Sequence, residues 1–271
     1  MNTALVTGPS SGIGRVTALS LGAAGYHVVA AGRSEPRIRP VVEAIRSFGG
    51  SAGYLPLDLA SLASVSQAVE QLKSSGVSFD LLVNNAGVWR QRGLTVDGFE
   101  PHFGINHLGH FHLTRLLSTS MTPRARIVTV ASAVHRRAAG IDFEAVTRPT
   151  RTRAGLDEYG VSKLANILFS RELARREPDV RTYAVHPGFS GTGIIPFWAK
   201  PFLRSRLISH GAAAATSIWC ATDPSLETET GGYYEKQAPA DPSPAAQDDA
   251  LAAELWERSE QWCTGAPTPN S

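Results

Sequence analysis

Short apolar runs alternate with longer segments of helical composition along most of the chain. The apolar runs cover residues 4–7, 27–31, 52–57, 79–83, 125–131, 180–185 and 231–234. They are largely apolar rather than alternating, and a strand of that kind is typically buried on both faces in a parallel sheet. Alternation of such strands with helices predicts an α/β fold with one doubly wound parallel sheet and helices on both faces.

The segments between these runs predict the helices. The helical patterns cover about 12–24, 40–48, 61–74, 99–121, 157–176, 210–221 and 245–262. Residues 134–156 lack a regular period and predict an exposed basic loop with five arginines. Residues 189–208 are apolar and interrupted by proline. This second segment predicts either a lid over an apolar ligand or a short amphipathic helix packed on the body.

Length limits the domain organisation. The chain has 271 residues, which suits one large α/β domain with a substantial core. We therefore expect a single domain over residues 1–262, in which residues 189–208 form the substrate-loop segment. A flexible tail at residues 263–271 is expected to follow, because proline, threonine and other polar residues dominate there.

A glycine-rich turn separates the first strand from the first helix. Its glycines stand in the spacing G-x-x-x-G-x-G. Free N–H groups at a helix amino terminus favour a phosphate, and glycines let a ligand approach the backbone closely. The turn is expected to bind a dinucleotide as in a Rossmann-type fold, although an ordinary strand-to-helix turn would carry the same glycines. The residues assigned to this contact are Gly8, Ser10, Ser11, Gly12, Ile13 and Gly14.

The charge at the end of the second strand indicates which dinucleotide binds. Arg33 follows this strand, and no acidic residue sits directly at the strand end. An acid would accept hydrogen bonds from the ribose hydroxyls of NAD, whereas an arginine suits the 2′-phosphate of NADP. We therefore predict NADPH over NADH, although an arginine there is also an ordinary surface residue. Asp58 and Leu59 follow the third strand, where Asp58 would accept from an adenine amino group or cap a helix.

Polar residues also follow the fourth and fifth strands. Asn85, Ala86 and Gly87 come after the fourth strand, and Ser132 comes after the fifth. The carboxyl ends of parallel strands meet at the ligand crevice of an open α/β sheet. We expect residues 85–87 to contact the cofactor, whereas a lone serine such as Ser132 is also commonly a cap or turn residue.

Tyr159 and Lys163 are four residues apart in a segment of helical composition, so their side chains share one face. A free phenol has a pKa of about 10, and a nearby ammonium group favours the phenolate. The pair therefore suits general acid–base chemistry, with Lys163 expected to lower the pKa of Tyr159. The same spacing is common on solvated helices, so the pair gains meaning only from the residues that meet it in space.

Composition excludes several other classes of function. The net charge is +2 and the arginines of residues 134–156 are not interleaved with aromatic residues, so we expect no nucleic acid partner. No run of about 18 apolar residues is present, and we expect no membrane span. The two cysteines match no metal or redox spacing, which indicates reduced thiols and a cytoplasmic location. His107 and His110 share a helix without acidic or cysteine partners, so no metal site is predicted.

These motifs together resemble the short-chain dehydrogenase/reductase family. The matching positions, in the order of the family, are residues 7–14, Asp58, residues 84–87, Asn106, Ser132, Tyr159 with Lys163, and Pro187 with Gly188. The match runs from residue 3 to about 235. Residues 105–111 and 159–166 look like the branch of the retinol dehydrogenases and protochlorophyllide reductases, as does the long interval between Ser132 and Tyr159.

The resemblance implies a role for each matching side chain. Tyr159 would protonate a carbonyl oxygen and Ser132 would hydrogen-bond the same oxygen. Lys163 would bind the nicotinamide ribose, and Asn106 would hold a water that links Lys163 to solvent. The positions implied to complete the cofactor site are Pro187, Gly188 and Thr192.

The implied activity is that of an NADPH-dependent oxidoreductase that reduces a ketone or aldehyde with sizeable apolar surface, or oxidises the alcohol in reverse. Reduction of a C=C double bond, as in the protochlorophyllide branch, is one alternative. A catalytically silent dinucleotide-binding regulatory protein is the other. Many members of the family are dimers or tetramers, so the resemblance also implies a homo-oligomer.

Overall fold

A computed structural model describes residues 1–188 and 209–265 of the chain. Its sheet has eight strands in the order β3-β2-β1-β4-β5-β6-β7-β8. The strands are β1 (Thr3–Thr7), β2 (His27–Gly32), β3 (Ser51–Pro56), β4 (Phe79–Asn84), β5 (Met121–Val130), β6 (Arg181–His186), β7 (Gly232–Glu235) and β8 (Ala238–Pro239). The first seven pair in parallel, as in the predicted Rossmann-type sheet, which confirms the fold class.

Helices follow most of the strands. They are α1 (Gly12–Ala23), α2 (Glu35–Ser47), α3 (Leu62–Ser74), α4 (Pro101–Phe103), a π-helix (Gly104–Leu108), α5 (Gly109–Leu117), α6 (Leu156–Arg176), α7 (His210–Thr222) and α8 (Asp249–Thr264). Short 3-10 helices cover Ser118–Ser120, Ala133–Arg137, Ala145–Thr147, Pro224–Leu226 and Pro244–Gln247. Within the described ranges, no helix combines the length and the apolar character that crossing a bilayer requires.

Three elements differ from the sequence expectation. Helix α2 begins at Glu35 rather than near residue 40, and Pro40 lies inside it. The predicted helix over 99–121 is divided by the π-helix and ends at Leu117. Strand β8 was not expected; it returns antiparallel to β7 through Lys236 and Gln237, which both have positive φ, as in a two-residue hairpin turn.

The core lies on both faces of the sheet. Along β1, Ala4 and Val6 pack into the apolar cluster under α1, α2 and α7, whereas Leu5 packs into the cluster on the opposite face. This alternation follows from the period of two along a strand, and it explains why the run had to be apolar at every position. On the second face, Trp256 of α8 packs against Phe111 and Phe169 with ring centroids 5.0 and 6.0 Å away.

The basic segment from 134 to 156 is irregular and exposes all five of its arginines, as predicted, but hydrogen bonds also anchor its carboxyl-terminal end to the body of the protein. The Thr150 hydroxyl donates to the buried Glu100 carboxylate at 2.6 Å. The Arg92 guanidinium donates to the Thr152 carbonyl at 3.2 Å, and Glu158 accepts from the Arg151 amide at 2.8 Å. These bonds fix the segment that leads into α6.

Strand order reverses at β1, which has β2 on one side and β4 on the other. In an open α/β sheet, the crevice outside the carboxyl ends of the strands at such a reversal is where ligands bind. The polar residues that follow β1, β2, β4, β5 and β6 therefore face the same opening.

Candidate active site

A cleft with a volume of about 510 Å³ opens at the carboxyl edge of the sheet. It lies at the strand reversal, and residues from the ends of β1, β2, β4, β5 and β6 line it. The predicted cofactor residues found in its wall are Gly8, Ser10, Ser11, Gly12, Ile13, Gly14, Arg33, Asp58, Leu59, Asn85, Ala86, Gly87, Tyr159, Lys163, Pro187 and Gly188. Thr192 and the predicted substrate-loop segment 189–208 lie outside the described residues.

The glycine-rich turn has the shape that a phosphate requires. Gly8 and Gly12 have positive φ values of 65° and 56°, a backbone conformation that residues other than glycine rarely adopt. A Cβ at Gly8 would lie 2.9 Å from the Ala86 Cα, so the two backbones meet directly. Helix α1 begins here with no side-chain cap and no acidic residue in its first turn, so its free N–H groups favour an anion. These features fit a dinucleotide pyrophosphate.

Positive charge lines the cleft beyond β2. The exposed Arg33 and Arg37 both belong to the lining, and neither has an ion-pair partner among residues 1–188 and 209–265. Two free guanidinium groups at the end of the second strand fit a 2′-phosphate better than they fit free ribose hydroxyls. Arg37 was not predicted, because the sequence reading placed the start of α2 after it.

The acidic and amide groups of the cleft are held by the backbone. Asp58 accepts from the Ala60 amide at 3.0 Å, while Ser61 caps α3, so Asp58 is not the helix cap. The Asn85 side-chain amide donates to the Thr7 carbonyl at 2.8 Å. These bonds orient both side chains at the rim, where Asp58 keeps its second carboxylate oxygen for a ligand amino group.

Ser132, Tyr159 and Lys163 meet in the wall of this cleft although they come from different elements. Ser132 follows β5 and accepts from the Val134 amide at 3.3 Å, so it is both a turn cap and a cleft residue. Tyr159 and Lys163 lie one turn apart on α6. The Lys163 ammonium lies 5.5 Å from the Tyr159 ring centroid and donates to the Val130 carbonyl at 2.8 Å.

Burial controls the ionisation of this pair. Tyr159 is 6% exposed, and burial raises its pKa to about 12, while the Ser132 hydroxyl acts in the opposite direction. Lys163 is 3% exposed, and burial lowers its pKa to about 7. The direction for Tyr159 is opposite to the sequence expectation, because removal of the phenolate from water outweighs the hydrogen bond with Ser132. With the protein groups alone, Tyr159 is neutral at neutral pH, whereas Lys163 is divided between its charged and neutral forms.

Asn106 lies behind the cleft wall rather than in it. Its side-chain carbonyl accepts from the Val88 amide at 2.7 Å, and its side-chain amide donates to the Ser162 hydroxyl at 3.0 Å. The Ser162 hydroxyl in turn donates to the Tyr159 carbonyl at 2.8 Å. Asn106 therefore ties the segment after β4 to the helix that carries Tyr159.

Sequence reasoning did not single out the apolar end of the cleft. Val88, Trp89 and Val134 line it close to Ser132 and Tyr159. The Arg90 guanidinium stacks over the Trp89 ring at 4.6 Å, and Arg90 has a positive φ of 62°. The sequence signal for this wall was Trp89, which lies two residues after the turn at residues 84–87. Only the fold shows that Trp89 lines the same cleft as Tyr159.

The histidines of the central helix are engaged with protein groups. His107 lies 3.2 Å from the Ser259 hydroxyl, and His110 lies 2.9 Å from the Thr7 hydroxyl. Across the part of the chain that the structure describes, no three histidine, cysteine or acidic side chains come together as metal ligands. Both cysteines, Cys220 and Cys263, are free thiols.

The sequence is similar to named dehydrogenases and reductases over almost its whole length. The chain is 38% identical to dehydrogenase/reductase SDR family member 13 of Homo sapiens, covering 96% of this chain and 72% of that protein. It is 36% identical to retinol dehydrogenase 14 of Mus musculus, covering 95% and 84%. It is also 36% identical to DnrU of Streptomyces sp. (strain C5), named as a candidate daunorubicin C-13 ketoreductase, covering 95% and 91%.

A solved structure, that of the angucycline C-6 ketoreductase LanV with bound NADP, matches with a TM-score of 0.71 at 25% identity, over 87% of this chain and 93% of that one. The family model for short chain dehydrogenases matches residues 2–199, which include the glycine turn, Ser132, Tyr159 and Lys163. The resemblance to this family and to its retinol dehydrogenase branch is thereby confirmed. The chain belongs to the short-chain dehydrogenase/reductase family of oxidoreductases.

Proposed function

We propose that the protein is an NADPH-dependent reductase of a ketone or aldehyde with sizeable apolar surface, and that it oxidises the corresponding alcohol in reverse. The observation that carries this proposal is the meeting of Tyr159, Ser132 and Lys163 in the same cleft as a glycine turn shaped for a dinucleotide. The family supports oxidoreductase chemistry between a carbonyl and an alcohol. The partner is accordingly a small molecule.

When bound, NADPH supplies a hydride to the carbonyl carbon. Tyr159 donates its phenolic proton to the carbonyl oxygen, and its raised pKa of about 12 keeps that proton in place at neutral pH. Ser132 donates a hydrogen bond to the same oxygen, so that developing negative charge meets two donors. The half-buried side chains of Val88 and Val134 line the same cleft, and a substrate that covers them would exclude water from this point.

Lys163 stabilises the phenolate of Tyr159 that the proton transfer leaves behind. Its ammonium group, one helical turn from Tyr159, favours the phenolate that forms when the proton leaves. The same group would hydrogen-bond a ribose hydroxyl while it stays anchored to the Val130 carbonyl. Asn106 sets the position of Tyr159 through Ser162. Whether Asn106 also holds a water next to Lys163 stays a prediction.

The preference for NADPH is supported by Arg33 and Arg37, which line the cleft without acidic partners in the described ranges. The related LanV structure contains NADP. Arg33→Asp should raise the Michaelis constant for NADPH by about tenfold or more, because one charge-assisted bond is lost and a repulsion is added. It should affect the constant for NADH much less. Arg39→Asp, on the solvent side of α2, is the control, and an unchanged cofactor ratio in Arg33→Asp would contradict the preference.

A ketone substrate is supported by two names among the similar proteins, DnrU and LanV, which are both described as ketoreductases. The Trp89 ring in the apolar wall suits a planar or aromatic substrate, because flat apolar surfaces stack well on an indole. The test is consumption of NADPH with a panel of aromatic and aliphatic ketones and aldehydes, with product analysis after reaction with deuterated cofactor. Deuterium on a carbinol carbon supports carbonyl reduction, whereas deuterium on a saturated carbon pair indicates the C=C alternative.

Replacement of the proton donor tests the mechanism. Tyr159→Phe should lower turnover by about 100-fold or more while NADPH affinity stays near that of the wild type, since only a hydroxyl is removed. Tyr183→Phe, a buried tyrosine outside the cleft, is the control. A normal rate in Tyr159→Phe contradicts the assignment. Tight NADPH binding by the wild type with no turnover on any substrate indicates the regulatory alternative instead.

A further inference from the structure

A buried histidine joins the two halves of the cleft. His110 is 1% exposed and lies on α5 behind the wall. Its Nδ1 lies 3.0 Å from the Asn106 carbonyl oxygen, and its Nε2 lies 2.9 Å from the Thr7 hydroxyl. Thr7 ends β1 directly before the glycine turn, and Asn106 belongs to the π-helix. The imidazole ring therefore links the end of β1, next to the cofactor turn, to the π-helix that contacts the catalytic helix through Asn106.

The direction of these hydrogen bonds follows from their partners. A backbone carbonyl can only accept, so Nδ1 of His110 must carry the proton that it donates to Asn106. In a neutral ring Nε2 then accepts, and the Thr7 hydroxyl donates to it. The two lone pairs of that hydroxyl receive the amides of Asn85 and Ala86 at 2.9 and 3.0 Å. A proton on Nε2 would leave the Thr7 oxygen with three donors for two lone pairs.

Burial acts in the same sense. Burial, with a smaller contribution from the Lys163 charge and against the hydrogen bond to Asn106, lowers the pKa of His110 to about 4, so the ring is neutral at neutral pH. The Val83 carbonyl, 3.3 Å from the Thr7 hydroxyl, is the more distant acceptor. The bond from Thr7 to His110 is therefore the one that the geometry favours.

The chain of bonds continues from Asn106 to the catalytic helix. Asn106 binds the Val88 amide and the Ser162 hydroxyl, and Ser162 binds the Tyr159 carbonyl. His110 binds the backbone carbonyl of Asn106, whereas Val88 and Ser162 bind its side chain, so the link from the turn that would hold the dinucleotide to the helix of Tyr159 passes through Asn106 itself. His110 is the central member of this link.

We propose that His110 is a positioning residue that locks the turn at Asn85 and Ala86 to Asn106, and so holds the cofactor cradle at a fixed distance from Tyr159. The proposal rests on the proposed function in one respect, since it takes the cleft as the dinucleotide site. His110 touches neither cofactor nor substrate. Its effect passes through Thr7 on one side and Asn106 on the other.

The test compares His110→Leu with His107→Leu by fluorescence titration with NADPH. Both histidines are 1% exposed and three residues apart, but the partners of His107 are Ser259 of α8 and Asn166 of α6, neither of which lines the cleft. Both variants should lose stability, because each buries a leucine in place of a bonded imidazole. Only His110→Leu should weaken NADPH binding, by about tenfold, as expected for one lost buried hydrogen bond. Equal affinity in the two variants would overturn the proposal.

Thr7 variants keep the test decisive if His110→Leu does not fold. Thr7→Ser retains the hydroxyl and should bind NADPH like the wild type, whereas Thr7→Val should bind about tenfold more weakly. Equal affinity in Thr7→Ser and Thr7→Val would therefore overturn the proposal without any His110 variant. Where His110→Leu folds, its loss and that of Thr7→Val should not add in the double variant, because both break the same link. Additive losses would mean that His110 acts independently of Thr7, which contradicts the proposal.

Imidazole nitrogen NMR of the wild-type protein separates this proposal from the proposed function. The spectrum should show His110 as the neutral tautomer with its proton on Nδ1, whether or not the protein turns over any carbonyl. A proton on Nε2 would overturn the positioning role and leave the reductase assignment untouched. If the wild type binds no NADPH while the tautomer is as expected, the proposed function fails and the hydrogen-bond chain stands.

Discussion

Replacement of Lys163 by methionine should make the protein more stable and inactive. The side chain is 3% exposed, and its Nζ donates to the Val130 carbonyl at 2.8 Å. That carbonyl also receives the Asn166 side-chain amide at 3.1 Å, so it keeps a partner in Lys163→Met. Methionine has nearly the same length and no charge, and the substitution therefore isolates the energetic effect of burying the amine.

The magnitude follows from the pKa of Lys163, which burial lowers from 10.5 to about 7. Each tenfold change in an acid constant corresponds to about 1.4 kcal/mol, so the charged amine opposes folding by up to about 5 kcal/mol. Loss of the hydrogen bond returns about 1 kcal/mol. The remainder is about 4 kcal/mol, so we expect Lys163→Met to be up to about 4 kcal/mol more stable than the wild type at pH values where Lys163 is fully charged in both states.

The lowered pKa of Lys163 also determines how the stability difference between wild type and Lys163→Met changes with pH. Between pH 7 and pH 10.5 the unfolded chain holds a proton on Lys163 that the folded chain has released, so wild-type stability rises with pH in this window. Below about pH 7 both states are protonated and the opposition to folding is complete. The advantage of Lys163→Met should therefore be largest at and below neutral pH and should shrink as the pH rises toward 10.

Urea unfolding of wild type and Lys163→Met at about pH 6, pH 8 and pH 9.5 measures this difference directly. Lys73→Met removes the same side chain from an exposed site on α3 and is the matched control. Because other groups titrate in both proteins, the comparison uses the difference in unfolding free energy at each pH. A variant that is less stable than the wild type at pH 6, or whose advantage is the same at every pH, refutes the reasoning.

Two further substitutions test the cofactor turn and the core. Gly8→Ala should weaken NADPH binding by about tenfold or more, because the new Cβ would lie 2.9 Å from the Ala86 Cα and the backbone there has a positive φ. Gly25→Ala is the control, since Gly25 also has a positive φ but its Cβ would meet nothing within 4 Å. In a titration with NADPH, Gly25→Ala should keep the wild-type affinity, and it should lose only about 1 kcal/mol of stability. Trp256→Ala should lower the unfolding free energy by about 3–5 kcal/mol, measured in urea, because its ring is buried and stacked on Phe169.

The strands could be predicted because the sheet is covered on both sides. Each position of β1, including Ala4, Leu5 and Val6, meets one of two apolar clusters, and this leaves an unbroken apolar run in the sequence. Strand β8 has only two residues and follows no hydrophobic period. It exists because a hairpin turn returns the chain against β7, which is a tertiary cause that a local pattern does not contain.

The hydrophobic pattern could not predict the π-helix either, because its cause is also tertiary. Residues 99–121 have one composition, and nothing in it marks the widening at Gly104–Leu108. The side chain of Asn106 there is held by Val88 and Ser162, which are distant in sequence. Partners of this kind stabilise π segments at functional sites, and only the folded chain supplies them.

Arg37 shows how a small error in a helix boundary hides a site residue. The sequence pattern predicted that α2 begins near residue 40. The helix begins at Glu35 instead, with a second proline in its first turn, and Pro40 lies inside it. Arg37 thereby changes from a loop residue to part of the cleft wall beside Arg33.

The spacing of Tyr159 and Lys163 gave their proximity but not their ionisation, and the ionisation bears on the direction of reaction. Burial keeps Tyr159 protonated near neutral pH, and it lowers the pKa of Lys163 to about 7, so Lys163 is divided between its charged and neutral forms there. A protonated phenol is the form that reduction of a carbonyl consumes, so reduction starts from the favoured state. Oxidation of an alcohol needs the phenolate, which burial disfavours until the pH rises.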